Sequence, residues 1–229
     1  MNAYAELRSL IAADRAGSAV RGWARGYLAD LLAGRTEVAA VRHPLGFACF
    51  PVWRGGALGV CLHVWSAGAR PHPTTSTMHA HSWDLVSSVL YGTVVNEIIE
   101  VTAPAQPTHR IFEVHSGAEG DLVRATPRLA GYRVRSREFF RDGDVYTLRH
   151  GVFHVSEVTG AAATLVLGEY RPGEPDLSLG ALGVDDHWVY RVACTEAETA
   201  ALARAVLERL TGESLPEDLE EERCDPATP

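Results

Sequence analysis

Apolar and polar positions recur with a helical period over residues 3–33, a stretch rich in Ala, Leu and Arg that predicts one or two amphipathic helices ending at Gly34. From about residue 37 the pattern shortens. Segments 47–53, 58–66, 77–81, 85–91, 93–101, 109–115, 121–135, 144–148, 152–158 and 163–170 are Val-rich or alternating, and Gly, Pro and polar turns separate them. Many short strands at close spacing predict a mainly-β sandwich or barrel. Thr195 followed by Glu198 is a capping box, and the periodic run behind it predicts a helix through about Leu210. The expected organisation is a helical segment over 1–36 packed on a barrel over 37–194, then a C-terminal helix over 195–211. An acidic, Pro-bearing tail over 212–229 reads as disordered.

Charge and composition narrow the function classes. Residues 213–225 account for −6 of the formal −8, so the rest of the chain carries only −2 and has no basic footprint for nucleic acid. All 21 basic residues are Arg, which removes Schiff-base and lysine-base chemistry. No apolar run approaches the roughly 20 residues that span a bilayer, and the N-terminus has no basic n-region. A cytoplasmic protein that meets neither membrane nor nucleic acid is the expectation. The four cysteines form no C-x-x-C pair and read as reduced thiols. Cys49 and Cys61 lie in β-like apolar runs and read as core residues rather than ligands.

Candidate chemistry begins at Met78-His79-Ala80-His81-Ser82-Trp83-Asp84. Histidines at i and i+2 on a strand project from one face, so His79 and His81 can reach one metal ion. His154, on a later strand, is the third candidate. The two regions together resemble the paired motifs of the cupin superfamily. His79, His81 and Gly92 match the first, G-x5-H-x-H-x3,4-E-x6-G, and Gly143, Gly151 and His154 match the second, G-x5-P-x-G-x2-H-x3-N. The resemblance covers roughly residues 74–158. It implies a double-stranded β-helix, or jelly-roll barrel, with one divalent metal in its mouth. Fe(II) is the favoured ion, and Zn, Ni, Mn and Cu suit the same donors.

The departures from the motifs matter as much. Leu85 and Val86 stand where the family's Glu ligand is usual, and neither binds metal. Asp84 is one residue off and reaches the site only if the strand bulges. Arg149 and Val158 replace the family's Pro and Asn, changes that look structural. Without Asp84 the site is three neutral imidazoles on an ion that keeps its full charge, which favours an anionic substrate bound to the metal. Such three-histidine sites resemble those of thiol and diketone-cleaving dioxygenases. With Asp84, the set would look more like the commoner oxygenase, isomerase or storage-type cupins.

The expected activity is therefore a non-haem Fe(II) dioxygenase taking a small anionic molecule and O2. The alternatives are an O2-independent isomerase, decarboxylase or cyclase, and a binding protein without turnover. His63 and Trp65, which share a strand face with Cys61, are weaker pocket candidates, as are Tyr91, Glu97 and Tyr170. His43 falls in a loop and carries no assignment. Exposed strand edges and the N-terminal helices leave a homodimer open. No G-x-G-x-x-G, Walker A, G-x-S-x-G or H-E-x-x-H pattern is present.

Overall fold

Helix α1 (Ala3–Ile11) starts at Asn2, whose Oδ1 accepts from Ala5 N at 2.9 Å and satisfies one of the free N–H groups of the first turn. Helix α2 (Ala16–Leu32) ends before Gly34, which takes φ +68°. Fourteen strands follow among the described residues: β1 (Val41–His43), β2 (Phe47–Gly55), β3 (Leu58–Trp65), β4 (His79–Ala80), β5 (Trp83–Tyr91), β6 (Thr93–Thr102), β7 (His109–Gly117), β8 (Gly120–Arg141), β9 (Val145–Leu148), β10 (His154–Val158), β11 (Ala162–Tyr170), β12 (Asp176–Ala181), β13 (His187–Val189) and β14 (Val192–Ala193). Helix α3 (Glu196–Thr211) closes the fold behind the Thr195–Glu198 capping box and stops at Gly212. The computed structural model describes residues 1–13, 16–66, 71, 74, 76–117 and 120–212. The acidic segment 213–229 lies outside the described residues, and so does the expectation of disorder there.

The strands form two seven-stranded antiparallel sheets, ordered β14-β1-β2-β3-β11-β5-β9 and β13-β8-β6-β10-β4-β12-β7. β8 pairs with β6 through its C-terminal half and with β7 through its N-terminal half, so one strand joins both flanks of the second sheet. Alternation on the first sheet separates two environments. Ala48, Phe50, Val60, Leu62 and Val64 are buried against the helices, with Leu7, Val20, Leu28 and Val206 opposite them. The other face of β2 and β3, with Phe47, Cys49, Cys61, His63 and Trp65, looks into the space between the sheets. Leu85, Val89, Val94, Tyr146, Leu148 and Val166 fill one end of that space with apolar side chains.

The ten predicted strands are present, displaced by a few residues at their ends. β8 runs six residues past its predicted end because its outer face, with Arg133, Arg135 and Arg137, is exposed and carries no apolar signal. β1, β12, β13 and β14 were not expected. Three are two or three residues long, and β12 lies among Gly and Pro. Among the described residues no helix is long and apolar enough to cross a membrane.

Candidate metal centre and cavity

His79 and His154 face each other directly, because β4 and β10 pair with these two residues in register. β4 ends at Ala80 in the second sheet and β5 starts at Trp83 in the first, so His81 stands at the corner where the chain crosses between sheets. His81 O accepts from Gly151 N at 2.9 Å, which ties that corner to the turn leading into His154. The motif glycines explain themselves here. Gly92, Gly143 and Gly151 have φ of +84°, +86° and +73°, a region that costs other residues strain. At Gly92 a side chain would also meet Ala161 O at 2.5 Å.

The ligand nitrogens of His79, His81 and His154 all lie within 4.8 Å of one another, and this group is able to hold one metal ion. His79 Nδ1–H donates to Thr77 O at 2.9 Å, and His154 Nδ1–H donates to Val152 O at 3.1 Å. Each bond fixes the ring and its tautomer and leaves Nε2 as the free donor, the arrangement that metal-binding histidines use. Burial pushes all three imidazoles below their ordinary value. For His154, burial and the neighbouring His79 push it down to about 3; for His81, burial acts with His79, His154, His43 and His63. All three are neutral at pH 7, as ligation requires.

Asp84 is not part of this group. Its Oδ1 accepts from His150 N at 2.8 Å and from His150 Nδ1 at 2.9 Å, while Oδ2 accepts from Arg171 Nη2 at 2.5 Å and Nε at 3.0 Å. The His150 bonds, with Arg171 beside them, hold the carboxyl well below the usual carboxylate range. Leu85, the next residue, packs in the apolar end of the barrel.

A cavity of about 1000 Å³ opens in front of the three histidines. Its wall on the first sheet is aromatic: His43 stacks on Phe47 with ring centroids 4.4 Å apart, and Phe47 meets His63 at 4.5 Å and Trp65 at 5.2 Å. Trp83 lies against His81 at 4.3 Å and passes over Gly168, where a Cβ would stand 2.9 Å from its ring. Among the described residues Arg54 and Arg191 are the arginines on the lining, and Arg191 Nε donates to Asp121 Oδ2 at 2.9 Å. Tyr170 stands on the lining but is 47% exposed.

Two expected pocket residues lie elsewhere. Tyr91 packs among the helices with Arg209 over its ring, because the outward positions of β5 near its end serve the helical core. Glu97 pairs with Arg137 at 3.5 Å across β6 and β8 and does not line the cavity. His43 and Asp176, unassigned from sequence, do line it. Cys49 and Cys61 are half-buried on the cavity face, Cys61 also against the apolar cluster around Leu85 and Val166, with sulfurs 3.3 Å apart. The alternation that buries Ala48, Phe50 and Leu62 was the signal that places both cysteines beside His63.

The two antiparallel sheets with helices at both ends are consistent with the jelly roll that the paired motifs imply. Among solved structures the chain is similar to a hydroquinone 1,2-dioxygenase from Sphingomonas with 4-hydroxybenzoate bound, at 14% identity over 52% of this chain and 63% of that one, TM-score 0.34. It is similar to an RmlC-like cupin from Shewanella frigidimarina, at 13% identity over 61% and 88%, TM-score 0.36. A DMSP lyase from Ruegeria pomeroyi is similar at 14% identity over 57% and 50%, TM-score 0.34. The chain spans less than two thirds of the length of the dioxygenase and of the lyase. It matches no protein-family model and no curated protein sequence.

Proposed function

We propose that this chain is a metal-dependent cupin enzyme, a non-haem Fe(II) dioxygenase acting on a small anion with an apolar or aromatic body. The observation that carries the reading is the convergence of three neutral imidazoles, His79, His81 and His154, while Asp84 is committed to His150 and Arg171 and Asp176 accepts from Ser82 N at 2.6 Å. Three uncharged donors do not compensate a divalent ion, which favours an anionic substrate as the next ligand. Held by these three histidines, Fe(II) would supply Lewis acidity toward the anion and redox capacity toward O2.

The remaining work falls to the chain. Thr77 and Val152 carbonyls hold the His79 and His154 rings in place. Phe47, Trp65 and the His63 ring offer flat apolar faces to the body of the substrate and keep water from the reacting face. Arg191 on the lining adds positive potential toward an anion, screened in part by Asp121.

Metal analysis of the purified protein against His154→Ala tests the site: the variant is expected to lose one equivalent of bound metal, and unchanged content removes the assignment. Oxygen-electrode assays of the Fe(II)-loaded protein with small thiolates, enolates and phenolates are expected to show substrate-dependent O2 uptake. Turnover supported by Zn(II), Ni(II) or Mn(II) without O2 uptake would replace the dioxygenase reading with Lewis-acid chemistry.

A further inference from the structure

The cavity has a second cluster of side chains able to ligate a metal, on the sheet opposite the three histidines. Cys49 on β2 is paired in register with His63 on β3, and Cys61 precedes His63 by two residues on the same strand face. The three ligand atoms all lie within 4.8 Å of one another. We propose that Cys49, Cys61 and His63 form a second metal site, a Cys2His set for Zn(II), with its fourth position open to the cavity.

The geometry favours a metal over a disulfide. Cys49 and Cys61 are diagonal across the strand pair, and diagonal positions stand about 7–8 Å apart at Cα. Disulfides want roughly 4.4–6.8 Å, so closing this one requires the backbone of β2 or β3 to move. Two thiolates on one tetrahedral zinc stand about 3.8 Å apart when each Zn–S bond is about 2.3 Å. The sulfurs at 3.3 Å need only side-chain adjustment to reach that spacing.

Charge and softness point the same way. Arg54 Nη2 donates to Cys61 Sγ at 3.0 Å, while its Nη1 donates to Trp53 O and Val60 O, both at 3.0 Å. Gly59 permits this, because a Cβ there would stand 2.7 Å from Arg54 Nη1. The guanidinium is thus fixed over one sulfur and supports it as a thiolate. Two thiolates and a divalent zinc sum to neutrality, so the site needs no further anion. Soft sulfur donors select Zn(II) over Fe(II), whereas the three-imidazole set opposite accepts either, so the two sites differ in preference. Three protein ligands with an open position are the pattern of catalytic rather than structural zinc.

Co(II) and Zn(II) titration of the chelator-stripped full chain tests this. Wild type is expected to bind a second equivalent of Co(II) that shows thiolate-to-metal charge-transfer absorption. Cys61→Ser and Cys49→Ala are each expected to remove that band and that equivalent while keeping the first. His154→Ala is expected to keep the band, so failure of the three-histidine reading and failure of this one are separable. On the unsubstituted protein, peptide-level mapping of alkylation at Cys49 and Cys61 is expected to slow at least about tenfold with Zn(II) and recover with chelator, since a metal-bound thiolate is a poor nucleophile. No charge-transfer band together with alkylation indifferent to Zn(II) overturns the proposal, and so does a Cys49–Cys61 disulfide in the aerobically purified protein that Zn(II) does not prevent.

Discussion

At the scale of single residues, Asp84 connects the metal centre to the rest of the fold. Its carboxylate joins β5 to the turn at His150 and to Arg171 beyond the end of β11, so it braces the strand that follows the histidine corner. Asp84→Asn is therefore expected to leave metal content unchanged and to lower stability by about 1–2 kcal/mol at pH 7, the size of charge-assisted bonds discounted for half-exposed partners. The sign with pH follows from the lowered carboxyl. A folded-state value below the unfolded one gives stabilisation present above the ordinary carboxylate range and lost as pH falls through the folded value. The gap between wild type and Asp84→Asn should thus narrow in acid, as read by urea unfolding at pH 7 and pH 3. Loss of metal in Asp84→Asn would instead make it a ligand. Sequence placed Asp84 one residue from the usual carboxylate, but it could not reveal that His150 and Arg171, 66 and 87 residues away, already occupy it.

At the scale of elements, helix α2 tests how close packing and helix propensity compete. Gly17, Gly22 and Gly26 all sit in this helix. A Cβ at Gly17 would stand 2.8 Å from Gly143 Cα, backbone of the β8–β9 turn that Arg21 also grips through Asp142. Nothing lies within 4 Å of a Cβ at Gly22 or Gly26. Gly22→Ala and Gly26→Ala are each expected to stabilise by roughly 0.5–1 kcal/mol, the propensity gain of Ala over Gly. Gly17→Ala makes the same gain but forces helix and turn apart, at a typical overpacking cost of about 1–3 kcal/mol, so its net effect should be destabilising. Thermal unfolding of the three variants distinguishes the cases; a stabilising Gly17→Ala would mean that the helix yields freely. Element identity was legible where the pattern was long: both helical ends, the capping box at Thr195 and strands such as β3 and β11. β13 and β14 were not legible, because two or three residues cannot show alternation and their pairing partners Asp121–Val123 and Val41–Arg42 are distant in sequence.

At the scale of the whole molecule, the two sheets enclose four histidines that burial keeps neutral: His79, His81 and His154 from the second sheet and corner, and His43 from the first. For His43 burial is the main cause, followed by Arg191, His63 and His79. Each gains a proton more readily in the unfolded chain, near pH 6.5, than in the fold. A lowered folded-state value gives stability fully present above pH 6.5 and lost as pH falls toward the folded value, about 3 for His154. The metal-free protein should therefore lose stability between pH 6.5 and 5, by up to about 1.4 kcal/mol per pH unit for each such histidine. Carboxylates held low, such as Asp84, do not titrate in that window and cannot produce the slope. Metal bound by the folded state adds stability at pH 7, about 2.7 kcal/mol at a hundredfold excess over Kd. Above pH 5 the folded imidazoles stay unprotonated with or without metal, so the metal-loaded and metal-free curves should run nearly parallel there and converge only where protons displace metal from the fold. Chemical unfolding from pH 7.5 to 5, with and without added metal, reads both features. A flat metal-free curve would mean that these imidazoles titrate at ordinary values and that the cavity is wetter than its aromatic wall implies.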